Sequence, residues 1–384
     1  NSRILGVYPD RELLVETDGQ RTMAVHAQFL LLAPGARERF LPFPGWTLPG
    51  VLSAGALQTL LKGQGILPAE SIVLAGSGLF LLAAAAETVR AGGKVTAVLE
   101  ATPFARKLGL LRPLLALPGK SAEGLGLLAT LLAHRVPLRH RTVVVRAEGE
   151  GRLERIVTAR LDDHGKPIAT SEQTHPCECL ALGGGFVPNI ELAQLAGIEP
   201  VFNPRRGGWV VPVADSQETK VDHVYAAGEI TGIGGAAKAR IEGEIAARAI
   251  LRAMGLGQSD EEDRLRARLR RRQQRQVAFA DRFNTRFVFP AALWQDIPDE
   301  TLLCRCEDVS MSEVRQALAA GYTSLQSLKT VVRVGMGECQ GRTCGPILQE
   351  VFAAIAPEGA PPLPPPTVRP PVKPAALESL ANFF

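Results

Sequence analysis

With 384 residues, 46% of them apolar and 21% charged, and a net charge of +4, the chain is too long for one hydrophobic core. Its composition is too ordinary for a disordered, collagen-like or disulfide-stapled protein, so two or three domains with room for buried ligand sites follow. No run reaches the roughly 18 uninterrupted apolar residues of a membrane span and no signal peptide opens the chain; the expected location is the cytoplasm, with peripheral association at the inner face of the membrane as the alternative.

The chain begins at Asn1, and VHAQFLLLAPGARERF (25–40) reads as strand and turn with no dinucleotide-type loop before it, so an N-terminal segment is expected to be missing. From Ser71 to Glu100 the pattern is strand (SIVLAG), glycine turn (GSG), apolar helix (LFLLAAAAETVRAGG) and strand (KVTAVLE), a βαβ unit with a parallel pair of strands. A GSG after a buried strand lets backbone approach a pyrophosphate at a helix N-terminus, which makes Gly76 and Gly78 candidate nucleotide contacts. Glu100 lies 24 residues beyond Gly76, where an acidic side chain can accept bonds from an adenosine ribose. It favours ATP, AMP or NAD over NADP, because a 2'-phosphate would meet like charge. Leu81 occupies the position that wants a third glycine, and a tight turn that only packs helix on sheet is the plainer reading.

Residues 136–182 read as short antiparallel strands around DDHGK, running into the apolar strand CECLALGGG, whose Cys177 and Cys179 are taken as ordinary strand cysteines. Next, VYAAGEITG (224–232) is a buried strand ending in small residues and a carboxylate, followed by glycines and the helix AAKARIEGEIAARAILRAM. That order faces a helix N-terminus toward a flavin or pyrophosphate and lets a strand-end carboxylate bind a sugar-alcohol chain, so Gly228 and Glu229 are candidate contacts. A solvated strand-to-helix corner is the alternative. A charged helix (261–287) contains RLRARLRRRQQR (264–275), read as a solvated face with anion or partner docking as the other option; no nucleic-acid motif surrounds it.

The block from 299 to about 355 holds four cysteines. Residues i and i+2 of an extended segment point to one face, so Cys304 and Cys306 in TLLCRCEDVS can offer two sulfurs to one centre. Cys339 and Cys344 follow in GECQGRTCG, where glycines let backbone fold closely around sulfur, and two short amphipathic helices between bring the pairs together. Four thiolates suit zinc or an iron-sulfur cluster. A CxxxxC redox disulfide is a third option, though that pair lies far after both flavin segments. The tail PEGAPPLPPPTVRPPVKP is expected to be extended or disordered.

LLLAPGARERFLPFPGW, a GxG unit, LALGGGFVPNIEL and VYAAGEITG occur in the order of two-dinucleotide-domain flavoproteins. Together with CRCEDVS and GMGECQGRTCGP, the chain resembles the A-type, or alpha, subunit of multi-subunit amine and amino-acid dehydrogenases: opine oxidase, dye-linked proline and hydroxyproline dehydrogenases, and hydrogen cyanide synthase. The CxC…CxxxxC spacing resembles the ferredoxin-like domain related to bacterioferritin-associated ferredoxin. The resemblance implies an α/β, glutathione-reductase-like fold with a C-terminal helical [2Fe-2S] domain. It divides the chain into a first FAD-binding part (1–65), an inserted nucleotide-binding domain (66–182), a second FAD-binding part (183–260), a linker helix (261–298), the [2Fe-2S] domain (299–356) and a proline-rich tail (357–384).

By the same resemblance, Gly35, Ala36 and Arg37 join Gly228 and Glu229 at FAD, Cys304, Cys306, Cys339 and Cys344 hold the cluster, and ATP or another adenine nucleotide is an option for the second domain. Glu229 departs from the superfamily's usual aspartate by one methylene. The implied function is electron relay through FAD and the cluster in a hetero-oligomer that oxidises an amine or amino acid. A partner flavoprotein subunit of the D-amino-acid-oxidase or sarcosine-oxidase kind would do the substrate chemistry, with a downstream electron acceptor and a further small subunit as other partners. No catalytic residue is assigned on this chain, whose six histidines are scattered. A stand-alone NAD(P)H-dependent flavin/iron-sulfur reductase is the alternative, and a cluster-carrying scaffold without flavin a third.

Overall fold

A computed structural model of the chain describes residues 2–18, 21–109, 117–357 and 359–381. By its contacts the chain divides into two compact units, one formed by Asn1–Arg37, Phe186–Thr285 and Thr367–Phe384, the other by Glu38–Gly185 and Arg286–Pro366.

The second unit is built on a five-stranded parallel sheet ordered Val51–Ser53, Cys179–Gly183, Ser71–Gly76, Lys94–Glu100 and Leu138–His140. Its strands are apolar on both faces, as a parallel sheet covered on both sides requires, and the alternation of side chains sorts them between two cores. Ile72, Leu74, Cys179 and Ala181 face the helix Leu79–Arg90, which contributes Leu81, Ala84, Ala85, Ala86 and Val89. Val73, Ala75, Leu180 and Leu182 face the opposite way, toward Val143, Val144, Ala147 and Ile156 of an antiparallel sheet formed by Thr142–Glu148, Arg155–Arg160 and Gln173–Pro176.

That second core also contains Leu303, Cys304, Val309, Met311, Val314, Leu328, Ile347, Leu348 and Val351. The cysteine-bearing segment therefore shares one apolar core with the inserted sheet, which is why contacts group 286–366 with 38–185 although the sequence pattern reads as separate domains. Within the segment, Ser310 and Glu313 form a reciprocal capping box that starts the helix Met311–Ala319, and Ser324 caps Leu325–Val332 in the same way with Ser327. The helix Cys344–Ile355 closes it.

The first unit carries an antiparallel sheet of Ser2–Tyr8, Glu12–Thr17 and Arg21–His26, and a parallel pair, Leu30–Leu32 with Val224–Ala226. The helix Ala236–Ala253 lies against Asp260–Asn284 through Ile241, Ile245 and Leu269, with Arg248 paired to Glu262 at 2.6 Å and Arg252 to Asp263 at 2.8 Å. The acids that open the second helix are thus directed at the first. Arg264, Arg268, Arg271, Arg272, Arg275 and Arg282 line its exposed side, and none makes an ion pair with a described residue.

Of the two expectations for the proline-rich tail, extended or disordered, the described residues take the extended one. Val372 donates its amide to the Leu5 carbonyl at 2.8 Å, Pro370 packs where Gly6 lacks a Cβ, and Ser379 donates to the buried Glu16 carboxylate at 3.0 Å. Glu16, also paired with Arg3, needs those donors once out of water, which ties the end of the tail to the N-terminal sheet. Among the described residues no helix is long and apolar enough to cross a membrane.

Candidate functional site

The four cysteines of the second unit form two sulfur pairs. Cys304 and Cys344 are 1% exposed and within hydrogen-bonding reach of each other; Cys306, exposed, and Cys339, half-buried, form the other pair. The Cys344 thiol donates to Cys304, and with the amides of Gly335, Cys306 and Glu307 it overcomes burial and brings Cys304 down to about 5. The same bond and burial push Cys344 up. Burial opposes ionisation of Cys339, yet the amides of Thr343 and Gly341, the Cys306 thiol and the Thr343 hydroxyl hold it below its ordinary value. Burial first, and the negative Cys339 next to it, raise Cys306.

Backbone amides aimed at sulfur are what a thiolate-ligated cluster wants, since they compensate charge without competing for the metal. The glycines of GMGECQG make this possible. A Cβ built at Gly337 lies 2.3 Å from the Cys306 Cβ, and Gly335 and Gly341 adopt φ of +83° and +78°. Among the described residues no group of three or more His, Cys, Asp or Glu is arranged around one metal ion.

Trp46 supports this loop from FPGW. Its indole Nε1 donates to the Leu302 carbonyl at 2.7 Å, and the Arg305 guanidinium lies 6.0 Å from its ring centroid. Nothing in the sequence singles out Trp46; an aromatic next to proline and glycine carries no signal of where it packs.

Gly76 ends the strand Ser71–Gly76 directly beside Gly183, whose carbonyl oxygen lies 2.0 Å from where a Gly76 Cβ would stand. Gly78 starts the helix Leu79–Arg90 with φ of +118°, no side-chain cap, and open space beside its Cα. A helix N-terminus of this kind attracts anions, but here a negative side chain already stands beside it. Glu100 is buried, and its carboxylate accepts the Gly78 amide at 3.2 Å and the Thr102 hydroxyl at 2.9 Å. Leu81, at the third-glycine position, fills the helix–sheet contact and lies 2.7 Å from where a Gly183 Cβ would be. Cys177 and Cys179 are pushed up to about 11 and about 12 by burial, which leaves both as unreactive thiols.

In the first unit, Gly35 adopts φ of +73° with open space beside it, and its carbonyl accepts the Asn189 amide at 3.1 Å. Ala36 is half-buried. Arg37 donates to Asn189 Oδ1 at 2.8 Å and to Glu191 at 2.7 Å, so two stretches about 150 residues apart in the chain, PGAR and VPNIEL, meet here. Gly228 opens the turn Gly228–Thr231 with φ of +88°. Glu229 accepts the amides of Gly234 and Gly235 at 2.9 and 2.6 Å, just before the helix Ala236–Ala253, whose first turn has no side-chain cap. Four of the six histidines make contacts of their own, His223 edge-on with Phe29, His140 with Phe104, His134 with the Thr130 carbonyl and His175 with Thr158, while His26 and His164 are exposed.

Residues 1–249 match the family described as pyridine nucleotide-disulphide oxidoreductase. The chain belongs to that family. Residues 302–354 match a second description, the BFD-like [2Fe-2S] binding domain. Hydrogen cyanide synthase subunit HcnB of Pseudomonas protegens is 33% identical over 351 residues, covering 90% of this chain and 73% of that protein. The opine oxidase A-type polypeptide of Agrobacterium tumefaciens is 34% identical over 372 residues, with 94% and 70% covered. The crystal structure of L-proline dehydrogenase from P. horikoshii superposes with a TM-score of 0.67 at 19% identity; it covers 99% of this chain, which spans 64% of that one. This pyridine nucleotide-disulphide oxidoreductase is therefore a flavoprotein oxidoreductase with FAD and a [2Fe-2S] cluster as its cofactors.

Proposed function

We propose that the chain is the electron-relay subunit of a hetero-oligomeric dehydrogenase or oxidase whose substrate is an amine or amino acid of the opine, proline, hydroxyproline or glycine class. The observation that carries this reading is the pairing of Cys304 with Cys344 and Cys306 with Cys339 in a segment that shares its core with the inserted nucleotide-binding sheet. Cys304, Cys306, Cys339 and Cys344 would hold the cluster, and Gly35, Ala36, Arg37, Gly228 and Glu229 would lie at FAD. FAD accepts electrons as a pair and releases them singly, and a [2Fe-2S] centre carries one at a time, which matches two-electron oxidation to one-electron acceptors.

The protein's own residues supply the environment. Amides of Gly335, Cys306, Glu307, Gly341 and Thr343 hold negative charge at sulfur, and Trp46 excludes water from one side of the loop. Gly76, Gly78 and Glu100 would frame the second nucleotide pocket, for ATP or another adenine nucleotide. There the Glu100 carboxylate is already bound to Gly78, so a ligand ribose would have to share it. Of the six histidines only His26 and His223 fall in the unit that carries the flavin segments, and His223 stacks edge-on against Phe29; no motif sets a base beside those segments, in keeping with substrate oxidation on a partner flavoprotein subunit of the D-amino-acid-oxidase or sarcosine-oxidase kind. The six exposed arginines of Asp260–Asn284 would suit an acidic surface on such a partner.

The test is to mix the purified chain with proline, hydroxyproline, an opine or glycine and an electron-accepting dye. Flavin and cluster absorption without dye reduction is expected from the chain alone, with turnover only when the partner is added. Full turnover by the isolated chain would overturn the division of labour, and rapid flavin bleaching by NADH would favour a stand-alone reductase.

A further inference from the structure

The helix Ala236–Ala253 buries a lysine and a glutamate that no step above uses. Lys238 and Glu242, one helical turn apart, are 4% and 2% exposed and paired at 2.9 Å. A lysine in the first turn of a helix faces the positive end of the helix dipole as well as losing its water, so its position has to be explained by what it binds.

All of its partners lie on one short turn or on Glu242. Lys238 Nζ donates to the Gly228 carbonyl at 2.9 Å, to Thr231 Oγ1 at 2.7 Å and to Glu242 Oε2 at 2.9 Å. Glu242 Oε2 accepts the Gly228 amide at 2.8 Å and lies 2.8 Å from Thr231 Oγ1, whose single proton it shares with the Gly228 carbonyl, while Gln273 donates to the other carboxylate oxygen at 3.1 Å. Both backbone polar groups of Gly228 and the hydroxyl of Thr231 are thus held by one ion pair; of the two residues between them, Ile230 enters the apolar core and Glu229 turns toward Gly234 and Gly235. Gly234 keeps the path open, because a Cβ there would stand 2.3 Å from Lys238 Cδ.

We infer that Lys238 and Glu242 are positioning residues for flavin binding, fixing the Gly228–Thr231 turn so that Glu229 and the N-terminus of Ala236–Ala253 present a preformed surface to FAD. This rests on the assignment of that turn to FAD. A buried ion pair adds little stability over apolar side chains of similar size, whereas it fixes backbone groups that apolar side chains leave unheld. Removing both charges together should therefore separate the two roles.

The experiment compares the full chain with the Lys238→Met/Glu242→Leu double variant and with Lys238→Met alone, measuring FAD affinity by flavin fluorescence and the melting temperature of the FAD-free protein. The double variant is expected to lose no more stability than Lys238→Met alone, in which the Glu242 charge is left unpaired, yet to bind FAD at least tenfold more weakly than the parent. A double variant with parental FAD affinity overturns the inference. Should the double variant fail to fold, Thr231→Val decides: unchanged melting with FAD binding weakened at least threefold supports the pair's role, and parental affinity overturns it. A parent chain with no affinity for FAD sinks the flavin assignment itself, a result visible before any variant is compared.

Discussion

Replacing Gly337 with alanine puts one methyl group into the cysteine loop and tests its packing directly. The added Cβ would lie 2.3 Å from Cys306 Cβ, 3.3 Å from the Cys306 carbonyl carbon and 3.1 Å from Glu307 Oε1. Ordinary van der Waals contact begins at 3.4 Å, so the turn that carries Cys306 and the GMGEC turn must separate by roughly 1 Å. Neither side yields readily. Cys306 follows the buried Cys304, whose sulfur takes the Cys306 and Glu307 amides, and Glu307 is paired with Arg333 at 2.9 Å. Overpacking of this kind destabilises by about 1–3 kcal/mol. The displaced atoms include a proposed ligand, so cluster retention should suffer more than folding does. We expect Gly337→Ala to be purified with flavin in normal amount, iron reduced to less than half the parental content, and a melting temperature lowered by several degrees. Iron analysis and visible absorption measure the first two and thermal unfolding the third. A variant with full iron content and parental melting would refute the tight approach of the two loops.

Trp46→Phe keeps most of the ring but leaves the Leu302 carbonyl without its donor, and the expected loss of about 1–3 kcal/mol should appear as lower thermal stability and faster cluster loss under a chelator; unchanged rates would show that the indole bond is dispensable. In cluster-free protein, Cys304 is expected to be a thiolate down to about pH 5. An acid group with a depressed folded pKa stabilises the fold above its unfolded value near about 8.5 and loses that contribution as pH falls through about 5. Ultraviolet titration should therefore show a thiolate at pH 7 that Cys304→Ser removes, and no thiolate signal at pH 7 in the parent would contradict the Cys344–Cys304 bond. Gly228→Ala, at φ of +88° and 3.3 Å from Ala239 Cβ, should weaken FAD binding and lower stability by about 1–3 kcal/mol; parental FAD affinity in that variant would argue against the turn's role.

The βαβ unit was legible because SIVLAG and KVTAVLE are short, continuous apolar runs joined by a glycine turn, and that pattern has few other physical solutions. The spacing picked out the cysteines but misjudged their geometry: the strand ends at Cys304, so Cys306 sits in the following turn, exposed beside Cys339 instead of sharing a face with the buried Cys304. Less could be read where a side chain's role depends on distant packing. Glu100 looks in sequence like a ribose ligand, yet its carboxylate is taken up by Gly78 and Thr102. The tail's prolines point to an extended chain, and only the Glu16 carboxylate and the bare Gly6 explain why it docks. Lys238 and Glu242 drew no sequence reading, because an i,i+4 Lys–Glu pair is most often exposed and only the fold shows the pair buried. The shared core of the inserted sheet and the cysteine segment joins residues more than about 200 positions apart, beyond the reach of any local pattern.

The central claim is that one chain holds both a two-electron and a one-electron centre. Anaerobic reductive titration of the purified protein, followed by visible absorption and electron paramagnetic resonance, tests it most directly. The account predicts about three electrons taken up per chain, two by flavin and one by a cluster whose signal vanishes in Cys339→Ser while the flavin bands remain. Uptake of only two electrons, or a cluster signal that survives that substitution, would contradict it.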